Sequence, residues 1–233
     1  MPQEVTFTGF GKQSLPFLKA LGFYQDREWF RENRPVYMRE VREPMGDLIE
    51  TLAARFEKAG IPLAGDRKNS LYRVNRDVRF SKNKDPYVTH ASAMLTRSGT
   101  KKDNGFVYMH YSNERSFIAC GFFGLEGEAM RAFREMIIRE EKKFAGIVKK
   151  LEGYGYKLED ESSLKRNPRG FEDVSSEPLT TWIRLKNHTF MEELTPAIFQ
   201  SPEVADRMFI MAKRAMPLLE FGWRATDSVR DSA

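Results

Sequence analysis

The densest set of groups able to hold an anion is the run from Arg73 to Tyr87, RVNRDVRFSKNKDPY. A period of two sets Arg73, Asn75, Asp77 and Arg79 along one face of a strand and leaves Arg76 on the opposite, otherwise apolar face. Lys82 and Lys84 follow on a turn, and Tyr87 ends the run with a phenol that can donate. Guanidinium forks make paired contacts to phosphate or carboxylate, and Asp77 can orient one of them. Each charge-assisted bond contributes roughly 1.5–3 kcal/mol, so two or three localise a small anion. The same residues also suit a structural Arg/Asp network, in which Arg76 is the structural member and the lysines form a solvated turn.

A second basic group, Lys165, Arg166 and Arg169 in LKRNPRGF, with Lys186 after it, is placed to converge on the same site, and Pro168 and Gly170 shape its loop. His110 shares a strand face with Phe106 and Tyr108, and His90 follows the basic run. Either can serve as a general base, although a lone strand histidine more commonly packs. His188 completes the set of three histidines. No spacing suits a metal, and no cofactor is implied. Cys120, flanked by Phe117, Ile118 and Phe122, reads as an inert buried thiol. Walker, GxGxxG, GxSxG and HExxH strings are all absent, which removes the signatures of the common nucleotide, hydrolase and zinc-protease mechanisms. Trp29, Phe30, Tyr37 and the N-terminal phenylalanines can be read as base-stacking platforms, but their helical spacing favours core.

Charge follows the same division. The net charge is +5, yet residues 66 to 102 carry ten Lys/Arg against three Asp, a local +7 that leaves about −2 for the rest. Such a segment on a near-neutral body suits a small anionic ligand; nucleic acid is the less favoured partner because the overall charge is modest. With 233 residues, 41% apolar and 30% charged, the chain can fold as one domain without metal or disulfide support. One cysteine suits a reducing compartment, and the cytoplasm is the expected location. No basic region followed by an apolar stretch opens the chain, and no run of about 18 apolar residues occurs, so neither secretion nor membrane spanning is expected.

Helices must frame the site. Ser14 and Asp26 read as N-caps, and Val41, Met45, Leu48, Ile49, Leu52 and Phe56 form an apolar stripe that Pro44 interrupts or begins and Gly60 and Pro62 end. From Ser70 to Phe80 the period is two, and further strands are expected near Thr89 to Thr96, Gly105 to Tyr111 and Ser116 to Phe123, joined by short turns as in an antiparallel meander. Helical spacing returns after Glu126, in one helix or two. The segment 159 to 181 reads as a long structured loop. A short helix near Leu179 to Leu185 and a strand in NHTFMEEL follow, and Ser201, Pro202 and Glu203 start a last helix facing inward with Val204, Met208, Met211, Ala212 and Ala215. The expected fold is a single α+β domain, an antiparallel sheet of about five strands packed against helices from both halves of the chain.

The string RxNRDxRFSxNKxPY resembles the signature of DUF2461, a family of mainly bacterial proteins catalogued as a domain of unknown function. The resemblance runs from about Val5 to Phe221, through Phe7, Phe10, Phe17, Arg27, Trp29 and Phe30, then Gly105, Tyr108, Gly121, Phe123 and Arg134, and later Arg169, Gly170 and Lys186. Tyr24-Gln25-Asp26 stands where members tend to carry an Asn pair, Ala119 and Cys120 replace glycines, and Leu125 replaces a proline. The resemblance implies a fold and a place for a site at the signature; it implies no reaction.

Overall fold

The computed structural model describes residues 5–230. Helices α1 (Ser14–Tyr24) and α2 (Arg27–Tyr37) lead through a π-helical turn (Met38–Arg42) into α3 (Glu43–Lys58). Strands β1 (His90–Thr96), β2 (Phe106–Ser112) and β3 (Phe117–Phe122) follow, then α4 (Gly127–Arg139), α5 (Glu141–Gly153), α6 (Leu179–Arg184), β4 (His188–Glu193), α7 (Pro196–Phe199) and α8 (Glu203–Arg230). The strands pair in the order β1-β2-β3-β4 as an antiparallel sheet, so the fold is α+β with four strands, one fewer than expected. No described helix is long and apolar enough to cross a membrane.

The missing strand is the one expected over Ser70 to Phe80. There the chain touches the β1 side only through isolated antiparallel bridges, Leu71 with Ala93 and Asn75 with Tyr87. Four residues separate these bridges on one side and six on the other, so the register slips by two and no regular ladder can form. A slip of this kind depends on the partner segment, which local alternation does not encode.

Two compact units emerge from the chain, the first comprising Met1–Lys101, Val107–Ile118 and Glu193–Ile210, the second Lys102–Phe106, Ala119–Glu192 and Met211–Ala233. In the first, the π-helical turn and α3 together bury the whole stripe Val41, Met45, Leu48, Ile49, Leu52 and Phe56. Pro44 is the second residue of α3, directly after the π-helical turn. The helix α2 is capped by Asp26, whose carboxylate accepts from the Glu28 and Trp29 amides at 2.9 and 2.8 Å. Ser14, by contrast, is the first residue of α1 and not its cap; its hydroxyl donates to the Gly11 carbonyl (2.5 Å) and meets the Tyr111 hydroxyl (2.9 Å). Tyr111 is buried between Phe10 and Phe199, at ring separations of 4.6 and 5.0 Å. The Ser201 hydroxyl accepts from the Glu203 amide at 3.3 Å, as a cap should.

In the second unit, the Phe133 and Phe144 rings meet His188, at 4.3 and 6.2 Å, and Phe122 and Phe221 pack on those phenylalanines in turn. A side chain at Gly121, whose φ is +129°, would meet the His188 carbonyl, so glycine is required for this close approach. Cys120 is fully buried and burial pushes its thiol up, which leaves no thiolate for chemistry. His188 is equally buried. Its Nε2 meets the Trp182 carbonyl at 3.2 Å and so carries the proton, while Nδ1 has no partner. Burial, with the nearby Arg134 charge, lowers its pKa to about 3.

A folded-state pKa depressed below the ordinary 6.5 contributes stability that is present above that value and lost as pH falls toward 3. His188→Gln keeps a donor for Trp182 and cannot titrate. Denaturation at pH 7 and pH 4 should show the wild-type advantage over this variant shrinking by about 3 kcal/mol at the lower pH; an advantage that does not change with pH would contradict a neutral buried imidazole.

Candidate functional site

Residues 75 to 87 form an arm held shut at its base. The Val88 amide donates to Val74 and the Arg76 amide to Pro86, both at 2.8 Å. Gln25, in the turn between α1 and α2, clamps the end of the arm: its Oε1 accepts from the Tyr87 amide (3.0 Å) and its Nε2 donates to the Tyr87 carbonyl (3.2 Å). The Tyr87 ring is buried and stacks on Phe30 at 4.5 Å. Gln25 does this from a φ of 30°, in the left-handed region that β-carbon sterics disfavour.

Along the arm exposure alternates: Arg73, Asn75, Asp77 and Arg79 are exposed, Val74 is buried, and Arg76 and Val78 are half-buried. Asp77 and Arg79 join as a two-pronged pair with Nε to Oδ1 at 2.9 Å and Nη2 to Oδ2 at 2.6 Å. That pair holds the Asp77 carboxyl below the usual range. Both side chains are open to water, so the pair is worth little to stability and serves mainly to shape the arm. Arg76 is half-buried and takes no part in this pair. Lys84 turns back to the Val78 carbonyl at 3.0 Å. Arg73, Asn75 and Lys82 are exposed, and among the described residues no acid pairs with Arg73, Arg76 or Lys82. Phe80 stands 95% exposed, with the Arg79 guanidinium 5.8 Å from its ring centre.

Several cations of the basic segment are spent within the protein. Arg67 is surrounded by Glu43, Asp47 and Glu50, and these bonds outweigh its partial desolvation to raise its pKa. Lys101 donates to the Asn69 and Leu71 carbonyls. The local +7 therefore overstates the charge open to a partner.

Beside the arm's base lies a half-exposed face of rings from β1, β2 and β3. His90 and His110 stack at 4.4 Å, His110 and Phe117 at 5.0 Å, and the Tyr108 hydroxyl reaches His110 Nδ1 at 3.4 Å. Tyr72, the last residue before the signature, meets Tyr108 edge-on at 6.2 Å and donates to the Met94 sulfur at 3.1 Å. Burial lowers the His90 pKa and, with the charges of His90 and Arg115, lowers that of His110 to about 4. Burial also pushes Tyr72 and Tyr108 up. At neutral pH the face thus presents two uncharged imidazoles and two intact phenols. Among the described residues no group of three His, Cys, Asp or Glu could hold a metal ion.

Arg169 and Lys186 belong to the second unit, and both are exposed. Their loop is tied down locally: Asn167 Nδ2 donates to the Phe171 and Val174 carbonyls, and Arg184 Nε donates to Asn167 Oδ1 at 2.8 Å.

Together these features define an α+β protein with a four-stranded antiparallel sheet and a cationic arm rooted beside an imidazole–phenol face. The model of a family described as a conserved hypothetical protein, DUF2461, matches residues 13–221, and the chain belongs to that family. No curated protein and no solved structure matches it.

Sequence reasoning passed over Gln25 and the joint role of Tyr72 and Tyr108. The alternation Phe106, Tyr108, His110 does place the last two on one face, but its meeting with Tyr72 and His90 depends on strand pairing. Asn is the residue other than Gly most at ease in the left-handed region, which fits the Asn pair that members tend to carry near Gln25. Replacing Gln25 by Ala should cost about 1–2 kcal/mol and speed hydrogen exchange at the Tyr87 and Val88 amides above that at β2. Unchanged exchange at both amides would show that the stack on Phe30 holds the arm alone.

Proposed function

We propose that the arm binds a small phosphorylated or carboxylated molecule. The supporting observation is the set of cations without acid partners, Arg73, Arg76 and Lys82, on an arm whose base is fixed by Gln25 and Phe30. Arg79, oriented by Asp77, and Lys84, folded back on the arm, fix its shape and add positive potential. The ring face at the base offers uncharged donors and acceptors to the rest of the ligand.

Binding is better supported than proton transfer. A general base works best with a pKa near the working pH, and His110 at about 4 is a hydrogen-bond acceptor first. We place this activity in the cytoplasm, in keeping with a lone cysteine kept as a buried thiol.

One observation favours a second reading. Phe80, exposed beside Arg79, resembles the stacking group of a surface for single-stranded nucleic acid. The spending of Arg67 and Lys101 inside the protein weighs against an extended polyanion.

A thermal-shift screen of sugar phosphates, mononucleotides and acidic metabolites tests the first reading. At least one compound should raise Tm, and Arg73→Ala with Lys82→Ala should abolish that rise without lowering the basal Tm by more than a degree or two. The absence of any hit, or hits indifferent to both changes, would refute it. Oligonucleotide binding that weakens steeply with salt and is lost in Phe80→Ala would establish the second reading instead.

A further inference from the structure

The second unit holds a groove of its own. Its floor is the turn from Gly124 to Gly127, between β3 and α4, fixed where the Gly124 amide donates to Asn187 Oδ1 at 2.9 Å. The lining includes apolar Phe123, Leu125 and Met130 and cationic Arg134 and Lys186. The cavity measures about 510 Å³, within the range of small-molecule sites.

Arg134 is the unusual group. It projects from α4, half-buried, and donates through Nε to the Ile183 carbonyl (2.7 Å) and more weakly through Nη2 to Leu185 (3.4 Å). No carboxylate pairs with it among the described residues, and burial lowers its pKa. Half-buried Arg67, by contrast, has three carboxylates around it. A partly desolvated guanidinium facing a cavity without one is costly until an anion arrives. A guanidinium has five donors, and two carbonyl contacts leave most of the fork free. Lys186, an exposed lining residue, adds a second charge, while Glu126 supplies the single negative group of the lining.

In the same lining the Phe123 side chain is 69% exposed, while Leu125 and Met130 are largely buried. Apolar surface in one lining with two cations selects for an amphiphilic anion over a bare ion. We propose that this groove binds a small organic anion with an apolar body, its carboxylate or phosphate on Arg134 and Lys186 and its apolar part on Phe123, Leu125 and Met130. The groove is lined by residues of the second unit alone, and the proposal does not depend on what the arm binds.

Calorimetric titration of the full chain with benzoate, phenyl phosphate and inorganic phosphate tests this. At least one aromatic anion should bind at least tenfold more tightly than inorganic phosphate. Lys186→Gln and Phe123→Ser should each weaken it fivefold or more, and Arg73→Ala should leave it unchanged. Both groove variants alter exposed side chains, so folding is not at issue as it would be for Arg134, which also closes two carbonyls. The proposal is overturned if neither aromatic anion binds, if inorganic phosphate binds Arg73→Ala as tightly as the aromatic anions do, if either groove variant binds normally, or if Arg73→Ala abolishes binding.

Discussion

The carboxamide of Gln25 holds both backbone polar groups of Tyr87, while Phe30 covers the ring of the same residue. Without that hold, residues 75 to 87 would be tied to the first unit mainly by their own base, because the register of the neighbouring strand has already slipped. Gln25 keeps a left-handed φ to do it. A residue held in a disfavoured conformation persists only where its surroundings over-determine it, and here two hydrogen bonds supply the constraint. Fixing the base also fixes where the arm's cations stand.

Charge in this chain divides into what is spent and what is available. Arg67, Lys101, Arg79 and Lys84 all lie in the basic segment, and each is committed to an internal partner. Arg73, Arg76 and Lys82 are not. Sequence counts treat all of them alike, so a local excess of positive charge gives no measure of the field a partner meets. Arg134 shows the converse, a half-buried guanidinium on α4 that bonds two backbone carbonyls and no carboxylate among the described residues.

Much of the fold was legible. The stripe from Val41 to Phe56, the cap at Asp26, the helices after Glu126 and the three strands from Thr89 onward all rest on local spacing, and local spacing survives in the structure. What failed was non-local. The alternation from Ser70 to Phe80 is real, but a strand also needs a partner in register, and the two-residue slip against β1's flank removes it. Ser14 has the right residue type for a cap, yet its hydroxyl is drawn to Gly11 and Tyr111, the latter far along the chain. In the signature the alternation of exposed and covered residues was legible, whereas the closure of the arm at Val74 and Val88 and its clamp by Gln25 were not. The face of His90, His110, Tyr72 and Tyr108 was half visible, since its β2 members alternate and its remaining members arrive by pairing.

The central claim is that the arm's unpaired guanidiniums are open to an anion while the caged ones are not. Arginine side-chain NMR resolves the two populations in one titration with inorganic phosphate. The Nε–H signals of Arg73 and Arg76 should shift together and saturate, with Arg67, already surrounded by Glu43, Asp47 and Glu50, unmoved. Shifts of equal size at Arg67, or none at Arg73 and Arg76, would contradict the account.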